Sequence, residues 1–189
     1  LAIFYVTWLV DDRGFSEADA PMFFGLVVIA LAVGSIVGGL AGDWADTRWP
    51  RYGRTIASQF SIAVSLTAMI YLLLRATDLV SILITSVWVG FFLDWTRRGS
   101  KQPMVQNVTR PELRSTAMAL TEFVQGAFAS VVILVFGGVA DRIGLTRTLL
   151  ILVSGFWTVA LLVTSAYYFV YPAEARKLRE EMERRRTFM

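Results

Sequence analysis

The sequence predicts an all-α fold, a polytopic membrane helix bundle with six transmembrane helices arranged as a 3+3 inverted repeat. Three observations carry that expectation. Apolar runs cover residues 21 to 41, 55 to 74, 79 to 93, 115 to 140 (broken by Glu122) and 148 to 171. Most approach or exceed the roughly 20 residues that an α-helix needs to cross about 30 Å of hydrocarbon. The basic residues are unevenly divided: of 18 Lys and Arg, only Arg13, Arg75, Arg142 and Arg147 fall in one set of alternate connections, and the other fourteen fall in the opposite set. The third observation is an echo. Gly38-Gly39-Leu40-Ala41-Gly42-Asp43 closes one apolar segment and Gly137-Gly138-Val139-Ala140-Asp141 closes another, each followed by an Arg-Thr pair, Arg54-Thr55 and Arg147-Thr148. The copies lie three segments apart, an odd number of crossings, so in a membrane they face opposite sides, the relation found in inverted-repeat transporters.

Taking the elements in order, residues 1 to 10, LAIFYVTWLV, make half a span and begin with Leu, as a truncated first helix of a longer chain would. Neither a basic region nor a small-residue cleavage site marks them as a signal peptide. The five long runs supply the remaining crossings, giving a transmembrane bundle over 1–172 and a charged tail over 173–189. Lys and Arg concentrate in cytoplasmic connections, which places the C-terminus inside, the acidic stretch Asp11 to Ala20 outside, and the protein in a plasma or inner membrane. Composition agrees: 56% hydrophobic and 13% aromatic residues with mean hydropathy +0.57 exceed the usual values for soluble domains. The net charge of +3 reflects this topology and does not indicate nucleic-acid binding. The chain has no His and no Cys, which excludes imidazole bases, thiolate nucleophiles, the usual zinc sites and disulfides within these residues. No metal or cofactor is expected, and no enzymatic activity.

Candidate functional residues follow from spacing. Ala30, Gly34, Gly38 and Gly42 recur every fourth residue, so on a helix they form one narrow face that admits another backbone closely. Such a seam serves tight packing, or the sliding of two helices in a conformational cycle. The stretch from Leu93 to Arg110 reads as cytoplasmic loop or as continued helix. Met104, Val105 and Val108 restore apolar character, and Thr109-x-x-Glu112 with Pro111 reads as a capping box opening a new helix. Gly99 and Pro103 oppose continuation. On a continuous helix, at about 100° per residue, Asp94, Arg97, Arg98 and Lys101 share one face. That cationic stripe suits the oxygens of a carboxylate or phosphate; as loop it is ordinary cytoplasmic charge. Even with Arg97, Arg98 and Lys101 moved into the membrane, eleven cations stand against four.

Glu122 interrupts a long apolar run, about 18 Å along its helix at about 1.5 Å per residue, with Thr121 adjacent and Gln125 one turn on. An intramembrane carboxylate is a candidate proton carrier or a counter-ion to Arg97 or Arg98. Trp8 and Gln125 complete the candidate substrate-binding set; for Trp8, as for Tyr5 and Trp88, core packing is the favoured reading over lining the cavity. Tyr167, Tyr168 and Tyr171 read as an interfacial anchor, and the charged helix after Pro172 as a solvated or membrane-surface tail.

The motif Gly39-Leu40-Ala41-Gly42-Asp43, followed by Arg48, Arg51 and Gly53-Arg54, resembles the Gly-x-x-x-Asp loop of the major facilitator superfamily in its second-half copy, between helices eight and nine. Val108 to Ala117 is similar to that family's junction between helices ten and eleven. Trp8-Leu9 and Arg13-Gly14-Phe15-Ser16 resemble the end of helix seven in its spinster-like and organic-anion or sugar-phosphate permease branches. The departures are Trp44 directly after Asp43, where the family often has Arg, and the extra residues, including Pro50, before Gly53-Arg54. The resemblance implies helices seven to twelve of an alternating-access transporter, a permease or symporter. Its partners would be membrane lipids, a small anionic substrate and an N-terminal six-helix half of the same parent chain. It also implies a conformational gate at Gly39, Gly42, Asp43, Arg51, Gly53 and Arg54. Independently, a carboxylate at the C-terminal end of its helix is unfavourably placed unless it faces a cation or another helix's N-terminus, so Asp43 is expected to latch onto such a partner, in the absent half. Two other classes stand beside transport: a non-transporting receptor or assembly subunit, and, less favoured, a metal-dependent intramembrane transferase using Asp43 and Asp46.

Overall fold

A computed structural model describes residues 2–187; the side chains of Ala2, Ile3, Arg97, Arg98, Arg179, Arg186 and Thr187 also lie outside the described residues. The described residues contain helices and turns and no strand. The helices are α1 (Ala2–Asp11), α2 (Asp19–Arg48), α3 (Gly53–Leu74), α4 (Leu79–Val108), α5 (Pro111–Ile143) and α6 (Leu145–Arg185). The last five are long and apolar enough to cross a membrane, consistent with an integral membrane protein; α1, at ten residues, is half that length, as its sequence suggests.

Local chemistry sets the boundaries. Asp78 caps α4 by accepting from the Ser81 N–H at 2.8 Å. Between Ile143 and Leu145 a single residue, Gly144 at φ +86°, turns α5 into α6, a backbone conformation that favours glycine. The expected capping box at α5 does not form: Thr109 Oγ1 donates back to the Val105 carbonyl at 2.7 Å, and Glu112 pairs with Arg185 at 3.1 Å. A 3₁₀ turn, Pro111–Leu113, opens α5 instead.

The helix from Leu79 continues through the ambiguous stretch, so residues 97 to 108 are helix and not loop. It winds as a π-helix over Trp95–Lys101 before returning to α-helix over Gln102–Val108. The wider winding shifts the phase assumed for Asp94, Arg97, Arg98 and Lys101 at 100° per residue. Pro103 has no N–H to offer the carbonyl four residues back; that carbonyl, on Gly99, accepts from Arg54 Nη1 at 3.2 Å instead. A neighbouring helix thus satisfies a backbone group that the kink releases.

Helix α2 packs chiefly on α4, and α3 on α2, α4 and α6. The small-residue stripe makes the first contact. A Cβ at Gly34 would sit 1.9 Å from the Phe91 carbonyl oxygen, one at Gly38 2.5 Å from the Trp95 ring, and one at Gly42 2.7 Å from the Gly99 oxygen. Ala30 meets Gly90 on the same seam. Helix α3 presents Thr55, Ser58, Ser61 and Ser65, all buried. Ser61 Oγ donates to the Phe92 carbonyl at 3.0 Å and lies 2.7 Å from Thr96 Oγ1. Between α3 and α6, Gln59 donates to Ser165 at 2.8 Å and accepts from the Tyr168 hydroxyl at 2.8 Å. Interhelical hydrogen bonds of this kind contribute about 0.6 to 2 kcal/mol each in membranes.

Most of the buried apolar core lies at one end, where Trp8, Leu9, Ala20, Leu72, Leu73, Ile82, Phe136 and Leu149 cluster. Helix α5 stands apart: among its described residues only Phe136 is buried, while Phe123 is 73% and Leu134 77% exposed. The tail is not a separate unit, because α6 runs unbroken through Pro172 and binds the α4–α5 connection through Arg110–Glu181 at 2.7 Å and Arg185–Glu112. The tyrosines expected as an interfacial anchor face neighbouring helices: Tyr171 is buried on Met104 and accepts from Asn107 at 3.1 Å, Tyr168 bonds Gln59, and Tyr167 packs on the Met104 cluster.

Candidate functional site

Two polar clamps and one cavity gather the chemistry. At one end, the gate residues converge on Arg54 at the start of α3, whose side chain is 11% exposed. Its Nη2 lies 2.5 Å from Asp43 Oδ1 and its Nε 3.3 Å from Asp46 Oδ2, while Nη1 holds the Gly99 carbonyl. Arg54 therefore joins α2, α3 and α4. Asp43 lies inside α2 and not in a loop, and among the described residues it pairs with Arg54 of this chain. Asp46 shares the same guanidinium, so both acids of the pair weighed for a metal are engaged by Arg54. Gly53 fits because a Cβ there would lie 2.1 Å from the Ala45 carbonyl oxygen. Gly42 belongs both to this clamp and to the seam. A Cβ on Gly39 would meet nothing within 4 Å, so the packing needs only the first glycine of the Gly38-Gly39 pair. Arg51 does not join the clamp; it stacks on Tyr52, 5.1 Å from the ring centre.

At the other end, Asp12 and Arg13 hold α1 to two helix termini of opposite polarity. The Asp12 carboxylate accepts from the Thr146 N–H at 3.0 Å and from the Thr146 hydroxyl, at the first turn of α6. Arg13 Nη2 donates to the Leu73 and Leu72 carbonyls at 2.9 and 3.3 Å, at the last turn of α3. An anion at a helix N-terminus and a cation at a C-terminus are the placements the helix dipole favours. Trp8 sits beneath, fully buried, its indole N–H donating to Thr146 Oγ1 at 2.8 Å and its ring 4.8 Å from the Arg13 guanidinium. That makes it a core and clamp residue of this end.

Between the clamps a cavity of about 210 Å³ is lined by Lys101 of α4, Gln125 of α5, Ser65 of α3, Thr96, Leu93 and Trp157. It unites two residues expected from sequence, Lys101 and Gln125, whose amide also donates to its own Thr121 carbonyl at 3.2 Å. Ser65, Thr96 and Trp157 were not anticipated. Their signal was legible in part, since Ser58, Ser61 and Ser65 repeat at three and four residues along α3. The Ser65 hydroxyl has no hydrogen-bond partner. Asp94 is 8% exposed and not without an interaction partner. Arg97 and Arg98 lie on the π-helical turn, but their side chains, and with them the expected pairing to Glu122, fall outside the described residues. Glu122 is exposed and not buried as its position in an apolar run suggests, because α5 makes few contacts along its length; Gln102 Nε2 approaches it at 3.5 Å.

These features define a helical bundle of membrane-span-like helices with a largely apolar cavity into which Lys101 and Gln125 bring polar groups. Comparison with family models, with curated proteins and with solved structures finds no match.

Proposed function

We propose that this chain is the C-terminal half of an alternating-access secondary transporter of the major facilitator type that moves a small organic anion, with Glu122 as the proton-coupling group. The observation that carries this reading is the convergence of Lys101, Gln125, Ser65 and Thr96 from three helices on one cavity. A cation within an apolar bundle is costly unless it faces water or an anion, and the Gln125 amide and the Ser65 hydroxyl add donors for a carboxylate or phosphate. The gate in this reading is the Arg54 clamp, which ties the end of α2 to α3 and α4 and breaks when those helices separate. The sequence echo supports a 3+3 inverted arrangement in this reading, with the two copies on opposite faces and the C-terminus cytoplasmic. The exposed apolar faces of α2, with Ile29, Ile36 and Leu40, and of α5, with Phe123 and Leu134, receive the N-terminal half of the parent chain and lipid.

The test is uptake of labelled organic anions by proteoliposomes of the full-length protein, with and without a pH gradient. Gradient-driven uptake lost in Lys101→Gln, and uncoupled from the gradient in Glu122→Gln, is the expected result. Binding without flux would replace transport by a receptor function on the same bundle, and flux indifferent to Lys101→Gln would remove the cavity as the substrate site.

A further inference from the structure

We propose that the substrate is an anion carrying one apolar group about the size of a benzene ring, with its charge held at Lys101 and Gln125 and its apolar group in a second, adjoining cavity. This rests on the reading of the Lys101 cavity as the substrate site. The second cavity, of about 140 Å³, lies among α1, α2, α3, α4 and α6, with Phe24, Val27, Met69 and Leu149 in its wall. Leu93 and Trp157 line both cavities. A ligand anchored at Lys101 that extends past these two side chains passes from the compartment that holds Lys101 and Gln125 into one walled almost wholly by apolar side chains.

Polar groups of the second cavity are already occupied. The Tyr5 hydroxyl donates to Ser86 Oγ at 2.7 Å, and the Trp8 indole N–H is taken by Thr146. A water molecule needs two to four polar partners to be held, and an apolar cavity of about 150 Å³ stays dry and admits benzene. The space thus favours an aromatic ring or a short alkyl group over water, and it is too small for a twelve-carbon acyl chain, whose volume is about twice as large at roughly one ring's volume per six carbons. Size selection and charge selection fall to different residues: the walls at Val27, Val89 and Leu149 for the first, Lys101 and Gln125 for the second.

Equilibrium binding to the purified full-length protein, followed by calorimetry with acetate, phenylacetate, dodecanoate and neutral toluene as probes, tests this. Phenylacetate is expected to bind at least about tenfold tighter than acetate, the discrimination that an apolar pocket gives for modest added apolar bulk, and dodecanoate to lose that advantage. Lys101→Gln should weaken both short anions, whereas Val89→Phe, or Leu31→Phe should the first not fold, should remove only the phenylacetate preference and toluene binding. Equal binding of acetate and phenylacetate, both weakened by Lys101→Gln, would overturn the apolar compartment and leave the anion site standing. Toluene binding without any anion binding would overturn the anion site, and the proposal with it.

Discussion

The two copies of the sequence echo differ in what surrounds them. In the first, Gly38 and Gly42 are pressed against Trp95 and Gly99, and Asp43 meets Arg54. In the second, a Cβ on Gly137 or Gly138 would meet nothing within 4 Å, and Asp141 and Arg147 are both exposed. The start of α6 after that copy is held by Asp12 and Trp8 through Thr146 and not by the echoed arginine. The threonines alone behave alike, Thr55 and Thr148 being 1% and 0% exposed. A small-residue motif is thus a permission for close approach, realised only where another helix arrives; α4 arrives at the glycines of the first copy, whereas at the second α1 and the core meet Phe136 and Ala140 and leave Gly137 and Gly138 open.

Valine substitutions break this contrast most sharply. Gly38→Val drives a branched side chain into Trp95 and should cost about 3 kcal/mol, the upper part of the range for overpacking, whereas Gly137→Val should leave the thermal stability of the isolated bundle within about 0.5 kcal/mol. Thermal unfolding in detergent reads both, and equal losses would mean that α5 packs far more closely than its exposure indicates. Next comes Arg54→Ala, which leaves the Gly99 carbonyl and Asp46 without their donor and should cost about 2 kcal/mol, as for hydrogen bonds to charged groups; Asp43, at 67% exposed, contributes little of that. Arg147→Ala is its counterpart, with no measurable loss expected in the same assay. Asp12→Ala removes the carboxylate at the first turn of α6 and should cost about 1 kcal/mol, the usual value of a lost helix cap. The smallest effect has the opposite sign: Gly39→Ala and Gly137→Ala, each with open space for the methyl group, should raise stability by about 0.5 kcal/mol through helix propensity. A loss at Gly137 in the full-length protein, but not in this bundle, would show that the second copy meets its neighbour in the parent chain.

Much of this was legible in residues 1 to 189. The long apolar runs give helices because a membrane leaves the backbone no partner but itself, and the seam at Ala30, Gly34, Gly38 and Gly42 is visible in its spacing alone. Continuation of α4 through Gly99 and Pro103 was less so, since its cost is offset by Arg54, 45 residues away in sequence. The Thr109 capping box was misleading because Thr109 finds the Val105 carbonyl nearer than the N–H it was expected to serve. Glu122 was expected to be buried because its neighbours in sequence are apolar, yet burial depends on what packs against α5. Of the cavity, Lys101 and Gln125 were readable as polar interruptions of apolar runs; Ser65 was readable only through the spacing of the α3 serines, and Thr96 and Trp157 were not, because threonine and tryptophan are ordinary in such helices.

Sequence alone determined most of the helices, their membrane-span-like length and apolarity, and the face on which α2 packs, all of which depend on short-range hydrogen bonding and local hydropathy. Tertiary structure alone decided that Arg54 serves Asp43, Asp46 and Gly99 together, that Asp12 and Arg13 grip two helix ends, and that Leu93 and Trp157 stand between a polar and an apolar cavity. Those features arise where residues 8 to 134 positions apart in different segments meet, and such meetings follow from the packing of whole helices, to which no single run of residues holds the key.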